Sequence, residues 1–472
     1  MGLLDPAIYS KAQADSRFVG KPSVHSAMIP LSAPNQSTAA SSTDFTFRSL
    51  VKLPMPVKRW RFGVTNRNLR SASFLTSPLT VTGVYVGTPV YGASVASGGR
   101  WVGACSAALT QVATSFTVPV DGSRGWSSWI TAETFEAGIE RVISWGMTTA
   151  ASGTGIAFGN SLQVVRAAGS ANAGSATLSG ATSGVALAFG DIVIEYEFAE
   201  PVQTGLFVGD SNTLTYVPSA PPLLPSAGAG ALPFETWPLV AGDMAGFAAI
   251  NLGVGSTTMA EWGTTYPILF DRVDVAGYDP DFAVVSLGTN SLAAGQSQAF
   301  LDNFRLINAK LRALGIKRIF WTDITPREYA NLHGTLAAAA SAGATSISST
   351  YNAPNGSILI GSGPNAEQVT VSATTGSGPY TLTVSALASA HAVGESVTSG
   401  NEMERRLYNN LLRQLPDGIA GVVPFEKALE ASPNSPSCDP RFIASDALHF
   451  QRSASVVKAQ AVIGAGVMPK LG

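Results

Sequence analysis

Cysteine is nearly absent: Cys105 and Cys438 are the only two among 472 residues. Lying far apart, they make neither a disulfide framework nor a zinc-ligand cluster, and two free, buried thiols are expected. Charge is scarce too, at 13% of the chain, roughly half the usual share. Lys+Arg 29 against Asp+Glu 31 leaves a net charge of -2, which excludes a global field drawing the chain to nucleic acid or anionic lipid. No window runs to about eighteen uninterrupted apolar residues, so membrane insertion is not expected. The N-terminal "MGLLDPAIYSKAQADSRF" interrupts its apolar stretch with Asp5 and carries no signal-peptide core. Histidine is the last scarcity: His25, His333, His391 and His449 are all there are.

Gly, Ala, Ser and Thr fill the space that charge leaves, and a hydroxyl-rich surface is expected. The chain is about three times a common domain in length, which sets two or three domains. Residues 1–44 carry Pro, Ser, Ala and Gln with weak periodicity ("MIPLSAPNQSTAASST") and read as an extended N-terminal arm, a candidate for oligomer or virion assembly. The first 70 residues hold ten Lys/Arg and three Asp. Lys58, Trp60 and Phe62 alternate there with Arg59 and Arg61, as on a strand with one solvated side.

Residues 45–200 hold short alternating or β-branched runs ("FTFRSLVKL", "KRWRFGV", "LTVTGVYVG", "DIVIEYEF") between turn clusters. They predict a jelly-roll-like β-sandwich, with a short helix only around "AETFEAGIE". After Pro201 buried strands alternate with helical stretches: "TGLFVGD", "FAAINLG", "FAVVSLG" and "RIFWTDI". Phe300, Phe304, Ile307 and Leu311 recur at helical spacing and Gly315 stops that helix. The pattern predicts a three-layer α/β domain with a parallel sheet over residues 201–334 and 401–472. Residues 335–400 break it: they contain no Arg or Lys, only Glu367 and Glu395 as acids, and several β-like runs. They read as a small inserted β-domain.

"GDSN" at the end of an apolar strand places Ser211 at the carboxyl edge of a parallel sheet, where open α/β sheets bind ligands. The tripeptide Asp-Ser-Asn is also ordinary turn chemistry. An attacking serine needs a general base. His25 falls in the arm and His391 in the insert; His333 follows a strand by a loop and stays open. His449 in "SDALHF" is the better candidate, because Asp446 three residues earlier is placed to orient its imidazole. The ends of the next two strands, "NLGVGSTT" and "SLGTNS", offer oxyanion donors: the N–H of Gly255 or Ser256, and the Asn290 amide.

Taken together, these segments resemble the SGNH (GDSL-type) hydrolases, over about residues 203–470 without the insert. The resemblance assigns Ser211 in "GDSN" as nucleophile and first oxyanion N–H, Asn290 in "GTN" as oxyanion amide, and Asp446 with His449 as the "DxxH" block. "TDITPRE" is similar to the family's segment after the fourth strand. Family members commonly carry Gly five residues after the block-two Asn; counted from Asn251, that place holds Ser256, with Gly255 beside it. Proline often follows the histidine block, where this chain continues "HFQRSAS".

The resemblance implies a serine esterase that needs no metal or cofactor. The sandwich is similar to the β-domain preceding such hydrolases in some bacterial carbohydrate and acyl esterases. "IYSKAQADSRF" and the insert resemble pieces of bacteriophage tail proteins. An acylated glycan, as O-acetyl groups on a bacterial surface polysaccharide, is the expected substrate. A lipid or short-chain acyl esterase is the alternative, and a virion tail receptor-binding protein with little catalysis is a third reading. A virion tail or another extracellular route stands beside the cytoplasm as the expected location.

Overall fold

The computed structural model describes residues 26–40, 42–71, 75–91, 101, 103–159, 162–184, 188–214, 231–265, 269–272, 275–292, 296–326, 333–361, 364–431, 438–439, 441–443 and 449–467. Most of the expected arm, including "IYSKAQADSRF", lies outside them.

The N-terminal region is antiparallel. In chain order its strands are β1 (Ser26–Pro30), β2 (Gln36–Ala39), β3 (Asp44–Lys52), β4 (Val57–Thr65), β5 (Leu79–Gly87), β6 (Thr110–Ala113) and β7 (Phe116–Val118). There follow β8 (Gly125–Trp126), β9 (Glu140–Thr149), β10 (Gly155–Phe158), β11 (Val164–Ala168), β12 (Thr182–Gly184) and β13 (Asp191–Phe198). One sheet has the order β1-β13-β4-β8; a larger one runs β12-β11-β3-β9-β5-β6, with β7 on β5, and β10 pairs with β2. The sheets face each other through aromatic side chains: Phe62 of β4 meets Trp145 of β9 at 5.4 Å, and Phe47 of β3 stacks on Trp145 at 5.6 Å.

Two expectations change here. The extended arm does not reach residue 44: β1 is wholly buried and pairs with β13 from Ser26↔Glu197 to Pro30↔Val193. Its short apolar run Ala27-Met28-Ile29 has no alternation because neither face of the strand is solvated. The stretch "AETFEAGIE" forms no helix. Phe135 is buried there against Trp60 at 5.4 Å, and its carbonyl accepts the Val57 N–H, so tertiary contact overrides the local helical spacing.

Beyond residue 200 the chain builds a parallel sheet from β14 (Thr204–Gly209), β15 (Ala248–Asn251), β16 (Phe282–Ser286), β17 (Ile319–Thr322) and a fifth strand, Gly421–Val423. The order is β15-β14-β16-β17-fifth, every pair parallel. Register places Phe207 and Trp321 on opposite faces. The helix Trp237–Ala245 packs Trp237 on Phe207, while Ser297–Ala313 packs Phe304 on Trp321. The latter helix buries Phe300, Phe304, Ile307 and Leu311 as their spacing predicts. Gly315 follows its end at φ 87, a backbone angle that favours glycine. No helix among the described residues is long and apolar enough to cross a membrane.

The insert contributes β18 (His333–Thr335), β19 (Ser346–Ser349), β20 (Gly356–Ile360), β21 (Glu367–Thr375), β22 (Tyr380–Val384) and β23 (Ser396–Ser399). They form one antiparallel sheet, β18-β23-β20-β21-β22-β19, over a separate core that includes Leu336, Tyr351, Ile360, Leu382 and Val397. Its first and last strands are neighbours, His333↔Thr398. The helix Gly400–Arg413 then returns to the α/β domain, where Tyr408 stacks on Phe300 at 4.2 Å.

Candidate active site

Strand β14, second in the parallel sheet, ends at Gly209, where any side chain is excluded: a Cβ would lie 1.8 Å from Thr213 Oγ1 and 2.9 Å from the Ser286 carbonyl. The next residues close a tight turn. The Asp210 carbonyl accepts the N–H of Thr213 (3.0 Å) and Leu214 (3.3 Å), and Asp210 Oδ1 accepts the N–H of Asn212 (2.8 Å). This Asx-type turn fixes Ser211 at the carboxyl edge of the sheet.

His449 is drawn to that turn across 238 residues of sequence, with Nε2 2.8 Å from Ser211 Oγ. Both residues are buried. When the hydroxyl donates to Nε2, the neutral imidazole carries its proton on Nδ1. Asp446, the expected partner of Nδ1, lies outside the described residues. His25 lies outside the described residues, and neither His333 nor His391 stands at this turn. His333 belongs to β18, which corrects its standing as an alternative base, and His391 is buried in the insert between Glu367 and Glu395.

The loop after β15 meets the loop after β16. Asn290 Nδ2 donates to the Thr257 carbonyl at 3.0 Å, and Ser291 Oγ accepts the Met259 N–H at 2.9 Å. An amide nitrogen carries two hydrogens, so this bond orients Asn290 while leaving one for another acceptor. Ser256 stands at φ 64, in the left-handed region where glycine is at home. The backbone at 256 thus takes a glycine-like course although the side chain is serine. Asn251 holds this loop and the nucleophile turn together: its Oδ1 accepts the Gly253 N–H at 2.9 Å, and its Nδ2 donates to the Thr213 carbonyl at 3.4 Å.

Sequence reasoning did not anticipate two sets of neighbours. The first comes from the N-terminal antiparallel region: Asn35 Nδ2 donates to the Gly255 carbonyl at 3.1 Å, and Arg70 binds Glu261 at 2.7 Å. Glu261 in turn accepts the Thr258 N–H at 2.6 Å, so the N-terminal region clamps the candidate oxyanion loop from outside. The second lies behind the turn. Lys458 is buried with Nζ 3.8 Å from the centre of the Phe450 ring; burial pulls its ammonium down to about 7, against the opposing pull of Asp210 and Cys438. Asp323 is pushed up to about 6, chiefly by burial. Both line a chamber of about 10 Å³ beside Asn212 and Thr289, space for one water. A signal for Lys458 existed, since Ala454, Lys458 and Val462 recur every four residues and all are buried.

Among the described residues, no group of three or more His, Cys, Asp or Glu side chains is arranged to hold a metal ion. The arrangement joins a hydroxyl to an imidazole at one strand end, a pair that can carry acyl transfer.

No family model and no curated protein matches the chain. Its neighbours among solved structures are SGNH and G-D-S-L-type hydrolases and carbohydrate esterases, at low identity and low TM-score. A family two carbohydrate esterase from Cellvibrio japonicus is 11% identical, with 65% of this chain and 81% of that one covered, TM-score 0.26. A carbohydrate acetylesterase family member from Sinorhizobium meliloti is 12% identical, with 55% and 95% covered, TM-score 0.31. A lipase/acylhydrolase from Enterococcus faecalis is 12% identical, with 56% of this chain and 95% of that one covered, TM-score 0.31.

Proposed function

We propose that the protein is a serine esterase. The observation that carries this reading is the 2.8 Å contact between Ser211 Oγ and His449 Nε2 at the carboxyl end of β14. His449 takes the hydroxyl proton as Ser211 attacks the ester carbonyl carbon. The oxyanion is met by the Ser211 N–H, the N–H of Gly255 or Ser256 and the Asn290 amide. His449 then gives its proton to the departing alcohol, and the acyl group stays on Ser211. A water that loses its proton to His449 attacks this acyl-serine; the acid leaves, and the proton returns to Ser211. Asp446 holds the Nδ1 proton and stabilises the imidazolium.

The substrate in this reading is an O-acetylated surface glycan. A hydroxyl-rich chain with two β-regions beside the catalytic domain supports it, as does the contact of the sandwich with the 255–258 loop. We read the alternation of β1, β3, β4 and β5 between two sheets as a jelly roll. Ser211→Ala is expected to abolish hydrolysis of p-nitrophenyl acetate while leaving the melting temperature unchanged; retained turnover refutes the mechanism. Acetate release from acetylated polysaccharide, set against hydrolysis of medium-chain esters, tests the substrate class.

A further inference from the structure

Where the sandwich meets the α/β domain, a cleft of about 370 Å³ opens, lined by Arg61, Arg67, Arg124, Arg272, Trp126 and Tyr278 among others. Its volume falls within the roughly 300–1,000 Å³ of small-molecule sites, and domain junctions are common places for them. Neither Ser211 nor His449 lines it.

The cleft is built on a buried ion cluster. Arg272, with no side-chain exposure, donates from Nε and Nη2 to Asp191 Oδ1 and from Nη2 to the Ser32 carbonyl at 2.6 Å. Arg124 Nη2 donates to Asp191 Oδ2 at 2.6 Å. Both oxygens of Asp191 are thereby engaged, yet the buried Nη1 of Arg272 has no partner, and neither has the buried Nε of Arg67. A buried N–H left unsatisfied is destabilising. Both guanidiniums belong to residues lining the cleft, so an acidic ligand there meets their positive charge at close range.

Charge agrees. Four guanidiniums lie at the cleft with three carboxylates, those of Asp191, Glu195 and Asp271, an excess of one positive charge. Burial holds Arg67 below its ordinary value, with Asp191 and Asp271 opposing, so an added anion there would relieve it. One wall is aromatic. Trp126 lies on the backbone of Gly63, where a Cβ would meet the ring at 2.4 Å, and Arg61, held by Glu195, lies 4.1 Å from its centre. A fixed ring beside charged donors offers an apolar face and polar anchors together.

We propose that this cleft is a second ligand site that takes the carboxylate of an acidic sugar unit, anchoring a glycan at the seam between the two domains. The anionic character rests on the cleft alone; the choice of a sugar rests on the esterase reading above.

The test is calorimetric titration of the full chain carrying Ser211→Ala with tetragalacturonate, with neutral cellotetraose and with inorganic phosphate. Tetragalacturonate is expected to bind, more weakly at about 500 mM than at about 50 mM salt, and cellotetraose to give no binding. Arg67→Gln removes a charged donor and is expected to weaken binding on the order of tenfold or more. Ser123→Trp obstructs the cleft from an exposed position outside the ion cluster and is expected to weaken it likewise, which covers the case of an Arg67 variant that does not fold. Absence of tetragalacturonate binding, binding indifferent to the folded variants, or phosphate binding as tightly overturns the proposal. Arg67→Gln in the otherwise native chain should hydrolyse p-nitrophenyl acetate at the parental rate. Loss of that activity from the parent itself sinks the esterase reading without touching the titration.

Discussion

His449 and His391 are both buried, at 8% and 2% exposure, yet they are chemically opposite. His449 offers Nε2 to a hydroxyl at 2.8 Å. His391 has Nδ1 2.8 Å from Glu395 and Nε2 2.8 Å from Glu367, so both ring nitrogens meet carboxylates, an arrangement that favours the doubly protonated ring. Burial lowers its pKa, but the hydrogen bonds and charges of Glu395 and Glu367 more than offset that and raise it. A histidine serves as a base when one ring nitrogen faces a group it can deprotonate. Burial does not decide the matter. In the α/β domain the imidazole is the base of the proposed mechanism; in the insert it is a bolt between β21 and the turn before β23.

The sharpest way to break this comparison is to remove each ring. His449→Gln is expected to lower kcat toward p-nitrophenyl acetate by about 10⁴-fold or more, whereas His391→Gln should leave it within about twofold, both read by initial rates at pH 8. Next in size is Asn290→Ala, expected to lower kcat by about a hundred- to a thousandfold with a smaller change in KM, as for loss of one oxyanion donor. Asn35→Ala loosens the clamp on Gly255 without touching the reacting atoms. Its loss in kcat should stay below about a hundredfold, and a double variant with Asn290→Ala should be less than additive.

The insert supplies a pH signature. With the His391 pKa raised above 6.5, its stabilising contribution is complete below pH 6.5 and lost as pH climbs through the raised value. Glu367 and Glu395 are held below their ordinary value of 4.5, so theirs is lost as pH falls through the depressed values. Hydrogen exchange of β20–β23 amides should therefore slow to a minimum opening rate between these limits, after correction for intrinsic exchange. His391→Gln should erase the alkaline limb. The smallest effect is expected at Ser256→Gly, which relieves a left-handed backbone and should raise stability by about 1 kcal/mol or less with kcat nearly unchanged.

Much of this was legible in the linear chain. The alternation of Lys58, Trp60 and Phe62 with Arg59 and Arg61 foretold a half-solvated strand, and β4 indeed buries Trp60 and Phe62 while Arg59 and Arg61 pair with Glu197 and Glu195. Having only four histidines narrowed the candidate base to His333 and His449, and Asp446 favoured His449. The buried strand β1 was not legible, because three apolar residues carry no period. Nor were Asn35 and Arg70 at the candidate oxyanion loop, since nothing local marks a polar side chain that will meet a partner some 200 residues away. The left-handed turn at Ser256 showed only through the resemblance, whose members commonly carry Gly at that place; residue propensity alone points away from such an angle at serine.

The pairing of His333 with Thr398 carries a further consequence. Closing a flexible loop costs entropy that grows with its length, but a segment whose own two ends are hydrogen-bonded neighbours spans almost no distance. For the α/β host, the long stretch from β18 to β23 weighs like a short turn. Such a module is topologically long and entropically short, and a lineage could acquire, exchange or discard it while the order of the parallel strands around it stays the same.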